Sequence, residues 1–261
     1  REIDSGSLLA AYAAPSGSLP RLAARRGRLV VGIAVIAVLG ALSTVLLVRG
    51  RGRGPEAASL QVTRLTATGN ATSPAISPDG RTVAYAAVEN GLQSLWLRQL
   101  GTGSTVQIVG PGDAALEGLA FSPDNNWLYY LSWPRGTAIR TLFRVPTLGG
   151  TPRRVYEDVD TPVSFSPDGE QIVFTRLVPP FGGKLLAGDA AGTSELRVLF
   201  DQSDTELMNP QWSPDGKSIA VSQRRQESPL AIGLALLPAT GGPPVQLGDA
   251  TWSEVAQIAW A

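Results

Sequence analysis

The apolar residues of this chain follow two different patterns on either side of residue 60. Residues 29–48 (LVVGIAVIAVLGALSTVLLV) are twenty consecutive residues without a charge. From Leu60 onward, apolar and polar residues alternate in short segments that glycine, proline and aspartate separate. The first pattern is typical of a membrane-spanning helix, and the second is typical of short β-strands joined by tight turns.

The apolar run predicts a single transmembrane α-helix over residues 29–48. As a helix it would be about 30 Å long, which matches the hydrocarbon core of a bilayer. We expect residues 1–28 to form a juxtamembrane tail and residues 49–59 to form a linker. A cleaved signal peptide fits less well, because the apolar run exceeds the roughly 7–15 residues of a signal h-region. Arginines flank both ends of the run, so the positive-inside rule favours a cytoplasmic N-terminus only slightly.

Residues 60–261 contain a four-residue motif that recurs about every 45 residues. Its copies are Ser77-Pro78-Asp79-Gly80, Ser122-Pro123-Asp124-Asn125, Ser166-Pro167-Asp168-Gly169 and Ser213-Pro214-Asp215-Gly216. Serine can bond the local backbone, proline presets φ, and glycine or asparagine accepts a positive φ at the fourth position. We interpret the motif as a structural hairpin turn. Because each copy carries the aspartate, a turn explains it better than paired catalytic carboxylates or calcium ligands.

Each repeat also contains a second turn between two apolar segments. The second turns are Gly101-Thr102-Gly103, Gly149-Gly150, Ala191-Gly192 and Gly241-Gly242. Every repeat therefore contains four predicted strands and no helix, which is typical of a β-propeller blade. The predicted fold is all-β: an incomplete β-propeller of about four four-stranded blades plus a stub at residues 258–261, preceded by one transmembrane α-helix. Residues 61–65 match the fourth strand of a blade and could complete a blade beyond residue 261.

Composition removes most catalytic chemistries. The chain has no cysteine and no histidine, which excludes disulfides, thiol nucleophiles, Ser-His-Asp triads and His/Cys zinc sites. We assign no catalytic residue, no cofactor-binding residue and no metal ligand. The first 54 residues are basic and the remainder is mildly acidic, which argues against nucleic acid as a partner. Three aromatic residues fall outside the main strand registers and form a candidate binding rim: Trp133, Phe181 and Trp252.

The repeated F-S-P-D-G motif, with the following apolar strand and the later L-W/Y/F-R segment and G-G turn, resembles the WD-like repeats of TolB-type β-propellers. The order of tail, span and repeats, with residues 60–109 in particular, resembles the C-terminal half of bacterial receptor-type serine/threonine protein kinases. That resemblance implies a kinase domain upstream of Arg1, and ATP and Mg²⁺ would belong to that domain alone. The sequence contains no kinase motif.

The kinase resemblance implies a single-pass protein of the cell membrane whose propeller lies in the periplasm. Its partner would be a protein or small ligand of unknown identity, and the span could support a homodimer. Two alternatives remain open. The repeats could be the propeller of a prolyl-oligopeptidase-like serine peptidase, or a TolB-like periplasmic scaffold.

Overall fold

The computed structural model describes residues 62–66 and 69–260. The predicted tail, transmembrane helix and linker (residues 1–59) lie outside the described residues. Within the described ranges, no helix is both long enough and apolar enough to cross a bilayer. The blades belong to one compact unit that begins at Leu65.

Sixteen strands in the described residues form four antiparallel sheets of four strands each. Blade 1 contains β1 (Ala71–Ile76), β2 (Thr82–Glu89), β3 (Leu92–Gln99) and β4 (Thr105–Gly112). Blade 2 contains β5 (Ala115–Phe121), β6 (Trp127–Trp133), β7 (Thr141–Pro146) and β8 (Arg153–Glu157). Blade 3 contains β9 (Ser164–Phe165), β10 (Gln171–Leu177), β11 (Gly183–Asp189) and β12 (Arg197–Gln202). Blade 4 contains β13 (Thr205–Trp212), β14 (Ser218–Arg225), β15 (Ser228–Pro238) and β16 (Val245–Gln246). The prediction of four four-stranded blades is confirmed.

Each blade has two distinct ends because its strands run up and down in sequence order. The Ser-Pro-Asp motif joins the first strand to the second, and the glycine turn joins the third to the fourth. Both lie at one end of the blade, which we call the turn end. The second-to-third loops and the links between blades lie at the other end, which we call the link end.

The hydrophobic core lies at the three interfaces between consecutive blades, which we call seams. In blades 2 to 4, the apolar residue just before the motif packs against the preceding blade. Phe121 is only 7% exposed and Trp212 is buried as well, whereas Ile76 of blade 1 is 61% exposed because the described residues place no blade before it. The alternating apolar side chains of each strand are therefore buried between neighbouring sheets.

Two segments whose sequences match blade strands do not pair with any strand among the described residues. Residues 62–66 are described but are not part of a sheet, and neither are residues 253–260. The latter segment nevertheless runs beside β13. The Asn209 side-chain amide donates to the Val255 carbonyl oxygen over 2.6 Å, and the Trp260 indole donates to the Gln211 carbonyl oxygen over 3.2 Å. Side-chain contacts, rather than a backbone ladder, hold this segment near the first strand of blade 4.

Candidate functional site

The motif aspartates are engaged by their own turns. In the first copy the Ser77 hydroxyl donates to Asp79 Oδ1 over 2.6 Å and accepts the Thr82 N–H over 2.9 Å. Asp79 Oδ1 also accepts the Arg81 N–H over 3.0 Å, while the Gly80 N–H reaches the Ser77 carbonyl over 2.8 Å. The other three copies repeat this arrangement. One carboxylate thus closes each hairpin.

The fourth motif residue lies in the left-handed region in every copy. The φ values are 68° at Gly80, 61° at Asn125, 75° at Gly169 and 74° at Gly216. Glycine and asparagine reach this region more easily than other residues. The substitution of asparagine for glycine at position 125 is therefore compatible with the turn.

The hydrogen bond from the motif serine lowers the pKa of all four motif aspartates, with further help from the following backbone N–H. A general acid at neutral pH needs a raised carboxyl pKa instead. The arrangement holds these groups ionised and occupied, which suits a structural role. No group of three or more metal-ligating side chains is present among residues 62–66 and 69–260.

The three rim aromatics all lie at the link end. Trp133 ends β6, Phe181 lies in the loop between β10 and β11, and Trp252 follows β16. Two of them are covered by arginines: the Arg140 guanidinium lies 4.9 Å from the Trp133 ring centre, and the Arg224 guanidinium lies 5.7 Å from that of Phe181. Trp252 is 41% exposed and pairs through its backbone with Ile232. Of these three rings, Trp252 is the one most open to a ligand.

Sequence reasoning missed the ion pairs that accompany these rings. Arg140 lies 3.2 Å from Glu117 on β5 and 3.0 Å from Asp160 in the link to blade 3. Arg224 pairs with Glu206 on the neighbouring strand β13. At each site one arginine combines an aromatic face with a carboxylate. This combination orders the link end and balances its charge.

A cavity of about 460 Å³ lies where the first strands of the four blades meet. Equivalent segments of the blades line it, together with residues 256–257. Its wall contains the small and apolar side chains of Pro74, Leu119, Pro162 and Val163, and the polar ends of Asn209 and Gln211. Such a wall can hold a ligand through shape and a few hydrogen bonds.

Comparison with known proteins supports this architecture. A family model described as the TolB beta propeller domain matches residues 59–229. TolB from Acinetobacter baumannii superposes with a TM-score of 0.56 at 24% identity, over 70% of this chain and 45% of that one. A protein designated TolB from Agrobacterium tumefaciens gives a TM-score of 0.58 at 19% identity, over 69% of this chain and 66% of that one.

Prolyl oligopeptidase B from Galerina marginata gives a TM-score of 0.51 at 14% identity, over 67% of this chain and 30% of that one. At these identities the structural similarities show the fold alone. The chain spans less than half the length of the Acinetobacter protein. No curated protein sequence matches it significantly.

Proposed function

The chain belongs to the TolB β-propeller family, and on this basis we propose that its repeats form a non-catalytic binding platform. In this proposal one span tethers the platform outside the cytoplasm, as the sensor region of a receptor-type serine/threonine protein kinase. A protein or small ligand at the propeller would change the pairing or orientation of the spans, and so the activity of the kinase domain. ATP and Mg²⁺ would serve only that domain.

The observation that supports the binding role is the cavity of about 460 Å³ where the first strands of the four blades meet. It is walled by repeated segments of four blades and opens among side chains that the motif turns do not use. The motif aspartates, which are the most regular ionisable groups of the repeats, are occupied by their own hairpins. Because the motif aspartates are bound within their own turns while the cavity wall is free of them, this arrangement favours ligand binding without catalysis.

The membrane and kinase parts of the proposal depend on the order of tail, apolar run and repeats in the sequence. Because the chain has no cysteine, a single introduced cysteine can be labelled selectively. Such labelling tests on which side of the membrane each segment lies. Leu148, in a turn-end loop of blade 2, is fully exposed. In the full chain in cells, we expect Leu148→Cys to react with a membrane-impermeant maleimide, and Ser5→Cys to react only after permeabilisation. The opposite labelling would exclude an extracytoplasmic propeller.

A second experiment addresses the kinase. An antibody raised against residues 60–261 should precipitate, from native membranes, a polypeptide larger than this chain by the mass of a kinase domain. The precipitate should incorporate phosphate from Mg²⁺-ATP. A native polypeptide without kinase activity would exclude the sensor role and leave the scaffold or peptidase role.

A TolB-like periplasmic scaffold is the second candidate, and the family match is the observation that favours it. Propeller-gated serine peptidases share the architecture as well, as the superposition with prolyl oligopeptidase B illustrates. A scaffold would co-purify with periplasmic partners and no kinase. A peptidase would label with a serine-directed fluorophosphonate in the native polypeptide.

A further inference from the structure

At two of the three seams, an arginine from the following blade binds backbone carbonyl oxygens at the link end of the preceding blade. At the first seam, Arg135 Nε donates to the Asp113 carbonyl oxygen over 3.2 Å, and its Nη2 donates to the Gly91 carbonyl. At the second, Arg176 donates to the carbonyl oxygens of Asp158 over 2.8 Å and Glu157 over 2.9 Å. Asp113 and Asp158 each stand one residue after the last strand of the preceding blade. The same backbone position thus receives a guanidinium at both seams.

The third seam has no guanidinium at this backbone position, although Arg224 of blade 4 lies over the Phe181 ring of blade 3. The equivalent position after blade 3 is Ser203, directly after β12. Among the described residues, no arginine donates a hydrogen bond to the backbone of Gln202, Ser203 or Asp204. The site of Arg176, ten residues after the motif serine, is taken in blade 4 by Gln223. A neutral and shorter side chain therefore stands where the preceding seam has a cation.

Gln223 is buried without a partner for its oxygen. The side chain is only 4% exposed, and Oε1 has no hydrogen-bond donor in the described part of the chain. An unpaired buried amide oxygen costs the free energy of its lost hydration. A donor supplied from outside the chain would recover that free energy.

A cavity of about 470 Å³ lies beside this amide. It is lined by Gln202 and Asp204 from the end of blade 3, and by Gln223, Arg225 and Glu227 from blade 4. Arg225 also lines the cavity, where it lies 3.8 Å from Glu227 on its own hairpin and donates no hydrogen bond to the described backbone after β12. Glycine at position 233, directly across the β14–β15 pair from Gln223, leaves room beside the amide.

We propose that this third-seam cavity binds a guanidinium group from a ligand. The ligand would place there the group that Arg135 and Arg176 place at the other two seams. Gln223 would turn its amide so that Oε1, which is enclosed in this structure, accepts one N–H. Asp204 and Glu227 give the cavity two carboxylates against the single cation of Arg225, so its charge is complementary to a guanidinium. A planar guanidinium presents several donors in fixed directions, which suits a site made of carbonyl and carboxylate oxygens. This inference is independent of the proposed kinase and of the membrane topology.

Two sources could supply the group: a free guanidino metabolite, or an arginine side chain of a partner polypeptide. The full chain in detergent can be titrated calorimetrically with L-arginine and with Nα-acetyl-L-arginine amide at low salt. Equal or tighter binding of the blocked compound would indicate a polypeptide arginine. Binding of L-arginine alone would indicate a small molecule that carries its own ammonium and carboxylate.

Two substitutions of Gln223 should change the affinity for arginine in opposite directions. Gln223→Arg supplies the guanidinium from the chain and should weaken arginine binding about tenfold or more, whereas Gln223→Glu should tighten it. Gln107→Arg, the same substitution at an exposed position of β4, is the matched control and should leave binding unchanged. L-citrulline, which has the shape of arginine without its charge, should bind about tenfold more weakly than arginine.

Absence of arginine binding, equal binding of citrulline, or unchanged binding in Gln223→Arg would each overturn the proposal. Should Gln223→Arg fail to fold, the double variant Asp204→Asn/Glu227→Gln tests the same site at its surface. It should weaken arginine binding severalfold, and an unaltered affinity there would also exclude the site.

Discussion

The guanidinium of Arg140 lies 3.0 Å from a carboxylate oxygen of Asp160. Arg140 belongs to the loop before β7, whereas Asp160 belongs to the link that leads into blade 3. Asp160 is largely buried, and its second oxygen accepts the Leu177 N–H over 2.8 Å. One carboxylate thus connects the loop of one blade to the second strand of the next.

Removal of this guanidinium should destabilise the second seam. Arg140→Ala leaves Asp160 with a buried, half-paired charge, and we expect the free energy of unfolding to fall by about 2 kcal/mol. Urea unfolding of the full chain, followed by tryptophan fluorescence, measures this change. Arg154→Ala is the control, since the Arg154–Glu157 pair is exposed on both sides and should contribute less than about 0.5 kcal/mol. Equal losses in the two variants would contradict the role given to Asp160.

Asp189 should make stability depend on pH in the acid range. Although burial opposes the shift, hydrogen bonds from the N–H and hydroxyl of Thr193 and from Ser194 lower its pKa to about 2. A carboxyl with a depressed folded-state pKa stabilises the fold fully above its unfolded value near 3.8, and this stabilisation is lost as the pH falls toward 2. Unfolding measured between about pH 5 and 2 should show a shallower decline for Asp189→Asn than for the wild-type chain. Parallel curves would show that Asp189 does not contribute.

Asn125 should tolerate glycine but not alanine. Its φ of 61° lies in the left-handed region, and its buried Oδ1 has no hydrogen-bond partner in the described chain. Asn125→Ala should cost about 1 kcal/mol, because a Cβ without a compensating polar group disfavours this conformation. Asn125→Gly should leave the stability unchanged or raise it, since glycine reaches the left-handed region more easily than other residues. Thermal unfolding of both variants ranks them, and a glycine variant weaker than the alanine variant would refute the turn argument.

Gly192 should be among the least replaceable turn residues because the preceding blade approaches it closely. A Cβ at this position would lie 2.5 Å from the Val155 carbonyl oxygen, and its φ is 78°. Gly136 also has a positive φ of 86°, but open space surrounds it. We expect Gly136→Ala to cost about 1 kcal/mol from backbone strain alone, and Gly192→Ala to cost about 2 kcal/mol more from overpacking. If both variants lose the same free energy of unfolding in chemical denaturation, the backbone at the second seam must shift to accommodate the added methyl group, which would contradict this expectation.

The hairpins were the part of the fold most open to prediction. Ser-Pro-Asp-Gly encodes its own conformation through contacts within six residues, such as the Ser166 hydroxyl bonded to Asp168 and to the Gln171 N–H. Sequence reasoning gives backbone roles to the serine, the proline and the fourth residue, but it predicts no specific hydrogen bond for the aspartate. The structure gives aspartate the more active part, as acceptor of both the hydroxyl and a backbone N–H.

The candidate rim was less predictable. Trp133 and Phe181 fall outside the main strand registers of the sequence, and they lie with Trp252 at the link end of the blades. Their arginine neighbours could not be foreseen, since Arg224 approaches Phe181 from a different blade. A position in the repeat says which end of a blade a residue occupies. It does not say which side chain from the next blade covers it.

The sequence by itself determined the repeat, the strand count of each blade and the location of its turns, because these depend on local backbone preference and on alternation within a few residues. Tertiary structure alone decided which charges meet across the seams, which rim aromatics stay open and where a guanidinium is missing. These features join residues about 20 to 45 positions apart, and only the stacking of sheets brings such residues together. A one-dimensional pattern carries no information on that distance.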